Sequence, residues 1–123
     1  MLVDNVLLRA ALERGAPAEE VVRLLEQGDL LFDITGSTIT MSGDTMLAGS
    51  RLSIREGEAD DGSRILLAFT RQEEVLRLHS DAPDSVQTLG QSAVGALEFA
   101  RTQGYAWLHL DPASPASALL PVR

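Results

Sequence analysis

The chain predicts an α+β domain: an N-terminal helical hairpin, an antiparallel strand meander, then strand–helix–strand–helix–strand completing a mixed sheet with helices on it. Three observations lead there. Apolar residues recur at helical spacing up to Gly28. From Leu30 to Phe69 the period shifts to short β-prone pieces punctuated by Gly and Ser. From Ile65 onward, apolar strand-like runs alternate with two segments that carry helix-capping signals.

Asp4 is placed to cap a first helix over about Asn5 to Arg14, whose Leu8, Ala11 and Leu12 share one face, and Gly15 ends it. Pro17 opens a second helix at its first position, where a missing N–H costs nothing. Glu19 and Glu20 complement the dipole of that turn, Val21, Leu24 and Leu25 follow at i, i+3, i+4 spacing, and Gly28 caps the end. Leu30 to Ile34 reads as a strand, and the Gly-, Ser- and Thr-rich stretch 35–50 as short β-prone pieces. Arg51 to Glu56 alternates polar and apolar residues like a half-exposed strand. Asp61-Gly62 marks a hairpin turn, and Ile65 to Phe69 is a continuous apolar run, as in a strand covered on both faces.

Thr70 and Glu73 form a capping-box pattern for a helix reaching about His79, and Asp81 to Asp84 breaks it. Ser85 to Leu89 is short and β-prone. Gly90 is the cap expected for a helix over Gln91 to Gln103, with Leu89 and Val94 as a hydrophobic staple. Ala93, Val94, Leu97 and Ala100 make its apolar stripe, and Gly104 supplies a left-handed C-terminal residue. Tyr105 to Leu110 is the last clear strand; Asp111-Pro112 closes it, and Ala118 to Pro121 reads as an edge segment.

The 123 residues show no repeat or internal boundary and are long enough to bury one core. Cys is absent, which excludes disulfide scaffolds, zinc ribbons and thiol nucleophiles. No apolar run reaches the ~18 residues that span a bilayer, and the N-terminus lacks the basic start of a secretory signal. The cytoplasm is the expected compartment. Net charge is −8 and every fixed cation is an Arg, since Lys does not occur. Such a surface repels phosphate backbones, so neither nucleic acid nor a membrane is an expected partner. It suits a basic protein or peptide, although acidity serves solubility first.

Several segments resemble the N-terminal domain of the SseB family, bacterial proteins named for enhanced serine sensitivity. The helix pair leads to Leu30-Leu31-Phe32; then come Leu67-Ala68-Phe69-Thr70, the segment Ala100 to Gly104, Tyr105 to Pro112 ending in Asp-Pro, and Leu119-Leu120-Pro121. The resemblance covers nearly the whole chain as residues 1–123 of a single domain, and it implies an α+β domain with a mixed sheet. It supplies no catalytic residue.

The residues themselves point away from most chemistries. Nucleophilic catalysis needs an activated hydroxyl or thiol beside a base. Of the two histidines, His79 falls in the last turn of its helix, where a cation offsets the dipole. His109 lies on a strand, and its neighbour Asp111 is not implied to share its face. An enzyme would need His109 and Asp111 to converge with Ser114 or Ser117. The acidic cluster Glu56, Glu58, Asp60 and Asp61 reads as a solvated turn, lacking the closing Glu of a calcium loop. The glycines at 36, 43 and 49 have no Lys to reach a phosphate, so no P-loop is present.

What remains is an aromatic strand face. By period two, Tyr105, Trp107 and His109 share one side of their strand, and Ala106, Leu108 and Leu110 the other. The aliphatic side suits the core. The aromatic side is either a second covered face or a protein-binding face of the type enriched in Trp and Tyr. The expected function is therefore a non-catalytic protein-interaction module, without cofactor or metal, whose partner is another protein; a homodimer is compatible. A second reading is a small acidic secretion chaperone or toxin-neutralising immunity protein.

Overall fold

The structure, a computed structural model, describes residues 3–38, 41–42, 45–46 and 51–122. Along the chain come α1 (Val6–Glu13), α2 (Ala18–Leu24), β1 (Asp29–Asp33), β2 (Met41–Ser42), β3 (Thr45–Met46), β4 (Glu56–Glu58) and β5 (Arg64–Ala68). Then follow α3 (Gln72–Leu78), a 3₁₀ turn (Pro83–Ser85), β6 (Thr88–Ser92), α4 (Ala93–Thr102), β7 (Trp107–Leu110) and β8 (Ala118–Pro121). This is an α+β fold with antiparallel and mixed sheets.

The helix starts differ from expectation wherever a side chain has a better partner. Asn5, not Asp4, caps α1: its Oδ1 accepts the Leu8 N–H at 3.2 Å and its Nδ2 donates to the Asp29 carbonyl at 3.1 Å. Asp4 is drawn into a β-bridge with Arg71, its carboxylate on Arg9. Pro17 stands at the N-cap of α2, so that helix starts one residue later than expected. The Thr70–Glu73 capping box does not form, because the Thr70 hydroxyl donates to Asp111 instead; α3 begins after Arg71 with no side-chain cap. Gly90 lies inside β6, and Ser92 caps α4 by accepting the Gly95 N–H at 3.0 Å. The buried stripe of α4 is Ala93, Ala96 and Ala100, while Val94 is 49% exposed, so the expected staple is absent.

The central sheet runs β4–β5–β7–β8, with β5 and β7 parallel and both outer pairs antiparallel. The Asp61-Gly62 turn joins β4 to β5 as expected, Gly62 adopting φ +85. The strand expected over Arg51 to Glu56 forms only from Glu56: Ser53 and Arg55 spend their N–H groups on Ser37 Oγ and the Asp33 carbonyl rather than on a ladder. Nor does β1 start a sequential meander. It pairs with β6, and Leu31 exchanges both backbone hydrogen bonds with Phe69 at 2.9 Å, which joins β1 to the end of β5. Gly43 and Gly49, used above to test for a phosphate loop, lie outside the described residues.

Alternation along the strands sorts two layers. Leu30, Phe32, Leu66, Ala68, Leu108, Leu110 and Leu120 meet Leu8, Leu12, Val21, Leu25 and the alanines of α4 in the main core. On the opposite face, Leu31 and Phe69 meet Val75 of α3, with Leu67 packed at the margin. One face of the sheet thus has a full helical layer, and the other has α3 over one end. The two edges differ in chemistry: β4 carries Glu56 and Glu58, whereas β8 is uncharged.

Candidate interaction face

The strip of sheet beyond α3 is built by cross-strand register. Ile65 lies opposite Trp107, and Trp107 opposite Pro121; Leu67 lies opposite His109, and His109 opposite Leu119. These side chains project away from the main core because Leu66, Leu108, Leu110 and Leu120 project into it. Ile65, Trp107 and Leu119 belong to neither apolar cluster. Trp107 and His109 are half-buried, and Leu119 is 49% exposed. Burial of the His109 ring lowers its pKa, which favours the neutral imidazole.

Tyr105 leaves this face, contrary to the expected grouping with Trp107 and His109. The strand begins only at Trp107, so period two does not extend back to residue 105. Tyr105 is 6% exposed in the main core, its ring 6.2 Å from that of Phe99 and 4.2 Å beneath the Arg64 guanidinium. Burial, with Glu56 nearby, pushes its hydroxyl pKa up to about 12. The signal available in the sequence was Gly104, whose left-handed turn (φ +78) redirects the chain before the strand starts.

His109 and Asp111 do not converge. Asp111 is buried and bends back with φ +48, and its carboxylate accepts the Thr70 N–H at 2.8 Å and the Thr70 hydroxyl at 2.7 Å. Burial raises its pKa against the pull of those two donors. The Thr70 carbonyl accepts the Asn5 N–H at 2.7 Å, so this one threonine joins the N-terminus, β5 and β7. Ser114 serves the following turn: its N–H meets the Asp111 carbonyl and its Oγ accepts from Ala116.

His79 has a partner the sequence did not reveal. Its Nε2 lies 2.6 Å from Oδ2 of fully buried Asp33, which also receives Arg55 Nε at 2.9 Å and, on Oδ1, the Thr35 N–H at 3.0 Å. Burial pushes the Asp33 carboxyl up, but the hydrogen bonds from Thr35 and His79 outweigh it and hold the pKa below its ordinary value. Glu74, also buried, lies between two arginines. Arg71 Nε bonds Oε2 at 3.0 Å, and Arg77 Nε approaches Oε1 to 2.9 Å without hydrogen-bond alignment. Asp61 of the acidic turn accepts from the Ser63 N–H and hydroxyl. Among the described residues, no cluster of three or more His, Asp or Glu is placed to hold a metal, and no helix is long and apolar enough to cross a membrane.

Two of the segments that carry the resemblance are halves of one junction, since Phe69-Thr70 and Asp111-Pro112 meet through the Thr70–Asp111 bonds. The model of the SseB protein N-terminal domain matches residues 5–123. The chain belongs to the SseB family. No curated protein and no solved structure gives a significant match. The buried Thr70–Asp111 junction and the core both lie within the matched residues. The Trp107–Leu119 strip lies within the same match, on the outside of the sheet.

Proposed function

We propose that this SseB domain is a non-catalytic protein-interaction module of the cytoplasm, and that it binds its partner protein through Ile65, Trp107, His109 and Leu119. The observation that carries the reading is the incomplete second layer. α3 covers Leu67 and Phe69 but stops short of Trp107. Fully burying a side chain of this kind contributes ~2 kcal/mol, and a tryptophan at the centre of a binding patch is the commonest energetic anchor. Two groups an enzyme could have used are bonded elsewhere, the His79 ring to Asp33 and the Asp111 carboxylate to Thr70, so Asp111 is not available to orient His109.

The test is native isolation of the tagged protein from its own host, wild type beside Trp107→Ala and the surface control Glu13→Gln. A partner retained by wild type and control, and reduced about tenfold by Trp107→Ala, supports the reading. Equal recovery of that partner with all three proteins overturns it, as does recovery of none.

A further inference from the structure

β8 ends the central sheet, and its free edge has a definite hydrogen-bonding pattern. The Val122 N–H donates to the Ala106 carbonyl at 2.9 Å, and the register places Leu108 opposite Leu120 and Leu110 opposite Ala118. In an antiparallel ladder, residues with inward backbone groups alternate with residues whose groups face outward. Ala118, Leu120 and Val122 therefore bond to β7, and the backbones of Leu119 and Pro121 face out. Among the described residues nothing pairs with them. The edge thus offers the Leu119 N–H and carbonyl and, because proline has no N–H, only the carbonyl of Pro121.

That pattern is self-complementary about Leu119. A second strand of the same sequence, antiparallel on a two-fold axis through Leu119, exchanges two reciprocal N–H···O bonds at that residue. The exposed Ser117 N–H of each copy then meets the Pro121 carbonyl of the other, so the missing N–H falls at the rim of the pairing. The pairing strand itself is uncharged, residues 117–121 being Ser-Ala-Leu-Leu-Pro. A mainly apolar groove of about 620 Å³ also lies against this edge, with Val22, Leu97 and Leu120 in its wall beside the charged Glu19, Arg23 and Arg101. Its wall residue Val22 is 45% exposed. Two-fold pairing with the axis normal to the sheet puts both helical layers on one side, so each copy brings Leu120 and α2 toward the other's groove.

We infer that β8 is a homodimerisation edge, pairing antiparallel with β8 of a second copy about Leu119. The pairing uses the Leu119 backbone, whereas the partner face proposed above uses the Leu119 side chain together with Ile65, Trp107 and His109. Sedimentation of the full chain at sub-millimolar concentration should show a dimer. Leu119→Pro removes the outward N–H along with the leucine side chain, spares the N–H groups of Ala118, Leu120 and Val122 that bond to β7, and should weaken the dimer by about tenfold. Hydrogen exchange of the unmutated chain provides a second measurement that does not need the variant to fold. The Leu119 amide should be protected when concentrated and lose protection on dilution, while the Leu120 amide stays protected at both concentrations. A monomer at every concentration overturns the inference, as does a Leu119 amide that exchanges freely throughout. Failure here leaves the partner-capture result at Trp107 unaffected, because the two tests read different residues.

Discussion

Asp111 holds a left-handed backbone angle that costs an aspartate about 1 kcal/mol, immediately before a proline that restricts it further. Its two bonds to Thr70 offset that cost, and they constrain three parts of the chain at once. Its carboxyl is raised above the ordinary 3.8 by burial. A carboxyl raised in the folded state binds its proton more tightly there than in the unfolded chain. This group therefore destabilises the fold when ionised, and the cost fades as pH falls through the raised pKa. Asp111→Asn keeps an acceptor for the Thr70 N–H and gives a donor to the Thr70 hydroxyl. Denaturant titrations should find it at least as stable as wild type at neutral pH, with the gap closing in acid. Asp111→Ala leaves the buried Thr70 N–H unpaired and should lose ~1–3 kcal/mol at both pH values.

At the scale of elements, Asp33 has the opposite sign. Its carboxyl joins β1 to the end of α3 through His79 and to the segment before β4 through Arg55. Its folded pKa is depressed, so the stability it supplies is fully present above 3.8 and is lost as pH falls through the lower folded value. Asp33→Asn should cost ~1–3 kcal/mol at neutral pH and nothing extra in strong acid, measured by the same titrations. Local signals were enough to place α1 and α4 by helical spacing and β1, β5 and β8 by short apolar runs. It missed the Asp33–His79 contact and the β1–β6 pairing, which span 46 and about sixty residues and leave no local trace. The capping errors share a cause. Thr70 and Asp4 are good caps in isolation, and each was claimed by a distant partner, Asp111 or Arg71. Tyr105 was misplaced because a period of two was extended across a turn that had not yet become a strand. The surface strip at Trp107 was legible as an alternation, but its exposure depends on where α3 stops, and that is a tertiary outcome.

For the whole molecule, charge and layering act together. A chain of net charge −8 repels its own copy, while the strand that meets the copy is neutral. Raising ionic strength from low to physiological should therefore increase the dimer fraction seen by sedimentation, since screening removes the repulsion and leaves the backbone hydrogen bonds. A fall in dimer fraction would mean that attraction between charges holds the copies together, contrary to the geometry. The two rims of the sheet also decide how far assembly can go. Indefinite growth of a β-sheet needs a second rim that accepts another strand, and the rim opposite β8 carries Glu56 and Glu58. Two such rims set side by side would oppose like charges, and an uncharged β8 laid on one would desolvate the Glu58 carboxylate and the Glu56–Arg64 ion pair. In the dimer inferred above, those two glutamates act as a stop against filaments at the far rim from the residue that pairs.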